Sequence, residues 1–186
     1  MRSQEQDLFT LKNKVIVVTG PTGVLGGSFV EAISKQGATV VLIGQNELLG
    51  EERAAFIRSQ GGEALFLKAN VLVEAELEAA KNKAVETYGT IHGLVNGAGG
   101  NLPEGVLSPD QDVFTMNMEG MKKTMELNVW GTLLPVQVFG PAIAKSGVGS
   151  IVNISSVNSK RTVTRGLGYS MGKAAIDLYT KWFAVE

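Results

Sequence analysis

The sequence predicts an α/β chain built on a doubly wound, mostly parallel sheet with helices on both faces. Three observations predict it. Short β-branched apolar runs alternate with amphipathic helical stretches, the intervals are long enough for crossovers, and glycines fall at the strand-to-helix turns. No internal boundary interrupts this alternation, so residues 1–186 read as a single domain.

The elements follow in order. Val15–Thr19 is a short apolar run ending in Gly-Pro-Thr-Gly, as suits a strand buried on both faces. A helix starts at Val24, with Leu25, Phe29, Ala32 and Ile33 on its inner stripe and Gly37 as its stop. Thr39–Ile43 repeats the buried-strand pattern, and Asn46 is placed to cap a helix that runs to about Ser59, before Gly61-Gly62. Ala64–Ala69 is the third strand. The next helix carries Leu77, Ala80, Ala84 and Tyr88 inward and stops at Gly89. Ile91–Asn96 is a fourth strand, running into GAGG. After a polar loop with two prolines, Glu119–Lys145 reads as helix, Ser150–Ser155 as the fifth strand, and Gly168 opens a last helix that runs to Glu186.

Composition narrows the function classes. A formal net charge of −1 offers no electrostatic footprint for nucleic acid or an anionic membrane. Without cysteine there is no disulfide framework, thiolate nucleophile or thiolate-ligated metal, and one histidine cannot build a histidine-rich metal site. The N-terminal MRSQEQDLFTLKNK is polar, and no stretch reads as long enough to span a bilayer. These features predict a cytoplasmic protein with a small-molecule substrate and no metal, nucleic-acid or membrane partner.

Two features carry chemistry. Tyr169 and Lys173 stand four residues apart in YSMGK, so a helix places phenol and ammonium on one face. A phenol is a poor acid or base at neutral pH, and a fixed cation beside it favours the phenolate. Ser156, thirteen residues upstream, offers a hydroxyl that could hold a carbonyl oxygen against that phenol. The second feature is TGPTGVLGG, lying between the first strand and its helix. There Gly20 allows a tight turn, small residues let backbone N–H groups approach a pyrophosphate, and the helix N-terminus favours negative charge. Together they read as proton transfer coupled to a nucleotide cofactor.

The turn, NGAG at Asn96–Gly99, ELNVWGTLL around Asn128, IVNISS and YSMGK occur in the order found in the short-chain dehydrogenase/reductase family, which the chain resembles from Lys14 to Glu186. The turn departs from the family's TGxxxGxG, because Val24 stands where the middle glycine is expected. The resemblance implies a Rossmann-type NAD(P)-binding catalytic domain. Carried over by motif, Tyr169 is the general acid or base and Lys173 its partner. Ser156 positions the substrate oxygen, and Asn128 holds a water in a proton relay. Strand alternation, which lets only one of two consecutive hydroxyls face a pocket, accompanies the choice of Ser156 over Ser155. The implied cofactor contacts are Gly20, Thr22, Gly23, Val24, Leu25, Gln45, Asn46, Asn70, Val71, Asn96, Ala98 and Gly99, with Tyr169 and Lys173. Gly44-Gln45-Asn46 supplies neither the acid of NAD users nor the arginine of NADP users, and the cofactor is NAD or NADP with a lean to NAD. His92 sits where the family often has Asp and reads as structural.

The wording of TGPTGVLGG, NGAGGN, GTLLPVQVFG and NISSVNS is most similar to the family's sugar-acid branch, the mannonate (fructuronate) oxidoreductases. That branch implies a hexonate or ketohexonate substrate, contacted by Asn101, Ser156, Asn158 and Arg161. Lys160, Arg161 and Arg165 stand near the pocket mouth as partners for a carboxylate. A 3-oxoacyl or general carbonyl reductase, and a catalytically silent nucleotide-binding scaffold, are the alternatives. Apolar faces on the Asn128 helix and the last helix, including Leu133, Leu134, Phe139, Leu178 and Trp182, match the family's homo-dimer or homo-tetramer. The family continues several tens of residues further, so the resemblance implies a C-terminally incomplete domain whose last strands are missing.

Overall fold

Strand alternation sorts the apolar side chains to two faces of one sheet. In β1 (Val15–Thr19), Val15 and Val17 join one core cluster and Val18 joins the other. In β2 (Thr39–Gly44), Val41 and Ile43 face the first cluster while Val40 and Leu42 face the second. Both faces therefore need cover. The second is covered by Val30 of α1 (Val24–Lys35) and Ala54 and Ile57 of α2 (Glu47–Ser59). The first is covered by Leu77, Ala80 and Ala84 of α3 (Glu74–Tyr88), and by Val136, Phe139 and Ile143 of α4 (Met118–Lys145). Each of the larger of these side chains, the valines, leucine, isoleucines and phenylalanine, contributes about 1.5–3 kcal/mol when fully buried.

The computed structural model describes residues 9–161 and 164–186. The first eight residues of the polar N-terminal segment lie outside the described residues, as do Thr162 and Val163 of the loop read at the pocket mouth. With β3 (Glu63–Lys68), β4 (Gly93–Asn96) and β5 (Ser150–Asn153), the sheet is five-stranded, in the order β3-β2-β1-β4-β5, and every pairing is parallel. The chain winds outward from β1 to β3, then crosses back to place β4 on β1's other side. The reversal leaves a crevice between β1 and β4 at their carboxyl ends. α5 (Leu167–Phe183) packs against α4 beside it.

Several expectations are corrected. Leu25 and Ala32 are exposed; α1 buries Gly26 against the Gly20 turn, Gly27 against the Arg53 guanidinium and Val30 against the sheet. β5 ends at Asn153, before either serine. The Ile154 N–H reaches Asn96 O (3.1 Å), and the chain then bends toward α5. Phe139 lies fully inside the core and needs no second subunit to cover it. Finally, α4 has 28 residues and is long and apolar enough to cross a membrane by length and composition alone, with half of that stretch buried inside the protein.

Candidate active site

The glycine turn forms one wall of the crevice. Gly20 takes φ +68°, and a Cβ there would stand 2.8 Å from the Ala98 backbone, so the β1 and β4 turns touch only because that side chain is absent. Gly23 begins α1 without any side-chain cap, leaving the first helical N–H groups directed at the turn. From α2, the Arg53 guanidinium donates to Thr22 O (3.3 Å) and Gly23 O (3.5 Å), in the space that a side chain on Gly27 would fill. The sequence carried no sign of this role, since Arg53 stands 30 residues from Gly23 and reads as a surface charge.

The crevice, about 340 Å³, is lined by Gly20, Thr22, Gly23, Gln45, Asn46, Val71, Ala98 and Gly99 among the expected cofactor residues. Of the other expected contacts, Val24, Leu25, Asn70 and Asn96 are not in its lining. Val24 and Leu25 are exposed at the start of α1. Asn70 is spent on its own turn, its Oδ1 accepting from Leu72 N–H (3.0 Å) and its N–H donating to Glu76 Oε2 (2.7 Å). Asn96 is buried and donates through Nδ2 to Asn153 Oδ1 (2.9 Å), bridging β4 to β5. Asn46 lines the crevice, but its Oδ1 caps α2 by accepting from Leu49 N–H (3.1 Å). Gln45 is left as the polar side chain at the end of β2.

Tyr169 and Lys173 come together on α5. The ammonium lies 5.6 Å from the Tyr169 ring centroid and donates to Ile154 O (2.7 Å). Lys173 is 4% exposed, and burial pushes its ammonium below the ordinary lysine range. It also borders the crevice, because a Cβ on Gly99 (φ +147°) would stand 3.3 Å from Nζ and 2.7 Å from Asn128 Oδ1. Asn128 is fully buried. Its Nδ2 donates to Gly100 O (2.7 Å) and Thr124 O (2.8 Å), and its Oδ1 accepts from Gly100 N–H (3.1 Å). Both amide hydrogens are committed, so the side chain clamps the GAGG loop.

The two serines diverge for a reason other than alternation. Ser155 Oγ lies 3.4 Å from Lys173 O as a weak donor to α5. Ser156 begins the 3₁₀ turn Val157–Ser159, and its Oγ accepts from Asn158 N–H (3.2 Å) while its hydroxyl hydrogen meets no described residue.

Beside this group lies a cavity of about 390 Å³ whose lining includes Leu107, Val113, Met116, Asn158, Arg161 and Leu167. The three expected cations differ sharply. Lys160 pairs with Asp177 (2.7 Å), and Arg165 donates to Leu107 O (3.4 Å) and Pro109 O (3.1 Å), tying down the loop before α4. The Arg161 guanidinium has no partner among the described residues. Asn101 is exposed beside Gly166, outside the lining of this cavity.

A family model described as short chain dehydrogenase matches residues 14–186. Among curated relatives, an uncharacterized oxidoreductase of Haemophilus influenzae is 33% identical over 185 residues, covering 94% of this chain and 65% of the relative. The 7alpha-hydroxysteroid dehydrogenase of Clostridium sardiniense is 34% identical over 179 residues, covering 95% and 66%. A solved Haemophilus protein, proposed to be a D-mannonate oxidoreductase and holding bound NAD, superposes with a TM-score of 0.87 at 34% identity, covering 95% and 66%. A NAD+-bound xylitol dehydrogenase superposes with a TM-score of 0.86 at 24% identity and covers 94% of this chain and 65% of its own, a likeness of fold alone. The chain thus spans just under two thirds of the length of the relatives it matches.

Proposed function

The chain belongs to the short-chain dehydrogenase family, and from that premise we propose that the protein is a nicotinamide-dependent oxidoreductase interconverting a carbinol and a carbonyl on a sugar acid. The observation that carries this reading is the buried Lys173 ammonium, held 5.6 Å from the Tyr169 ring and bordering the glycine-lined crevice through Gly99. A phenol and an ammonium so placed serve proton exchange, and a binding module has no need of them.

A nicotinamide dinucleotide fits the residues present. The side-chain-free turn at Gly20 and Gly23, with the uncapped N–H groups of α1, suits a pyrophosphate, and Gln45 can hydrogen-bond a ribose. Such a cofactor, when bound, supplies the hydride donor or acceptor. At the β2 end of the crevice the lining side chains are the neutral Gln45 and Asn46, and Arg53 is engaged with turn carbonyls, which supports NAD over NADP. The NAD held by the similar Haemophilus structure points the same way.

In this reading Tyr169 exchanges a proton with the substrate oxygen, and Ser156 steadies that oxygen with its uncommitted hydroxyl hydrogen. Lys173 supplies the counter-charge. Arg161, the one of the three loop cations without a partner among the described residues, receives the carboxylate. The apolar walls Leu107, Val113, Met116 and Leu167 favour a second reading, a reductase of acyl or other carbonyl compounds. Exposed Trp130, Leu178 and Trp182 on α4 and α5 are the surface that a second copy would cover.

The test is steady-state kinetics with both cofactors across hexonates, ketohexonates, neutral ketones and acyl thioesters. Turnover with NAD(H) on sugar acids is the expected result. Turnover confined to neutral ketones or thioesters replaces the first reading with the second, and no nicotinamide-linked turnover on any arm defeats both.

A further inference from the structure

The geometry assigns Asp177 the role of positioning residue for the Ser156 turn, an inference that rests on the dehydrogenase reading. Tyr169, Lys173 and Asp177 recur every four residues on α5, so one helical stripe presents a phenol, an ammonium and a carboxylate in line. The first two face the chemistry. The third grips the segment that carries Ser156.

That grip is direct. Ser159 Oγ stands 2.7 Å from Asp177 Oδ2 and 2.7 Å from Ser156 O, so its one hydroxyl hydrogen is shared between the carboxylate and the serine's own peptide oxygen. Lys160 Nζ closes on the same Oδ2 at 2.7 Å. The Lys160, Ser155 and Ser159 hydrogen bonds hold the Asp177 carboxyl well below the ordinary carboxylate range. Its side chain is only 19% exposed, and a carboxylate there is fixed by several partners at once. Without it, the 3₁₀ turn keeps its internal bonds, Ser159 N–H and Lys160 N–H to Ser156 O and Val157 O, but loses its side-chain anchors to α5 at the far end. Asp177 also neutralises Lys160 at the cavity wall, which leaves Arg161, unpaired among the described residues, to set substrate charge preference.

The experiment compares Asp177→Ala and Asp177→Asn with the unaltered protein. The amide oxygen of Asn still accepts from Ser159 and keeps the turn anchored, while giving up the ion pair. Asp177→Ala is expected to lower kcat roughly 10- to 100-fold, as misplacement of a reacting group does, with the KM for cofactor unchanged. Asp177→Asn is expected to recover kcat to within about threefold, since a neutral hydrogen bond replaces a charged one. Hydrogen exchange at the Ser159 and Lys160 amides, which needs no substrate, is expected to quicken about tenfold or more in Asp177→Ala alone. Equal exchange in all three proteins overturns the anchoring. Equal kcat in all three overturns the positioning role even where exchange differs. Should the unaltered protein show no turnover, the dehydrogenase reading fails, while the exchange rates still decide whether Asp177 holds the turn.

Discussion

Lys173 would be a costly residue on the buried side of a helix if nothing received its charge. Here Ile154 O accepts from it and the Tyr169 face lies above it, so the ammonium is fixed where solvent cannot shield it. A proton leaving Tyr169 would do so beside that charge, which makes the phenol oxygen the atom to remove. Tyr169→Phe keeps the ring and its packing. It is expected to lower nicotinamide-linked turnover by about 100-fold or more, the usual worth of a general acid or base, with cofactor affinity within about twofold. Near-normal turnover, measured alongside cofactor fluorescence titration, would remove Tyr169 from the mechanism. At this scale the pair Tyr169–Lys173 was legible, because a four-residue spacing on a helix is local. Asp177 and Arg53 were not. Each acts through a partner 17 to 31 residues away, Lys160 or Ser159 in one case and the turn carbonyls in the other.

Two helices set the distance between the cofactor loop and the phenol. α5 approaches α4 closely at Gly172, where a Cβ would stand 3.0 Å from that of Asn128, and Asn128 in turn clasps Gly100 through both its N–H and its carbonyl. One buried amide thus ties the loop after β4 to the helix pair. Asn128→Ala removes this clasp and leaves the Gly100 groups without their partner. The expected cost is about 1–3 kcal/mol by urea denaturation, with weakened NAD(H) binding because Gly99 lines the crevice. Unchanged cofactor affinity in a destabilised variant would confine Asn128 to the fold. The elements themselves read well from sequence: among the described residues, the five strands and five α-helices lie where the apolar runs put them, while the three short 3₁₀ turns were not foreseen. What failed were their ends and facings. β5 stops two residues short, the bond from Ile154 N–H to Asn96 O being its last to β4, and apolar Val24 and Leu25 at the start of α1 stay exposed.

Across the whole molecule, the layered α/β sheet was legible because each buried strand feeds two cores by simple alternation, and helices must cover both faces. Less legible was how the strand starts are fastened at the end opposite the crevice. There the lone histidine of the chain holds the centre of the sheet: His92 Nδ1 accepts from Val15 N–H (3.0 Å), while His92 N–H reaches Val15 O (2.8 Å) and His92 O accepts from Ser150 N–H (3.1 Å). β1, β4 and β5 therefore meet at one residue, and only an Nδ1 without a proton can accept. Burial, then the nearby Lys14 charge, pushes this imidazole below its ordinary value of 6.5. The unfolded chain takes up a proton near that value while the folded chain resists it. Unfolding is then linked to proton uptake, and stability rises with pH across the window. The contribution is fully present above about pH 7, starts to fall as pH drops through about 6.5, and levels once the folded imidazole is protonated too. Because no second histidine titrates there, urea midpoints between pH 8 and pH 5.5 should isolate it, the carboxylates lying lower. His92→Asn offers Oδ1 near the place of Nδ1 and cannot be protonated in this range, so its midpoint should stay flat where that of the unaltered protein declines. Parallel declines in the two proteins would show that the strand-start hydrogen bond does not sense pH.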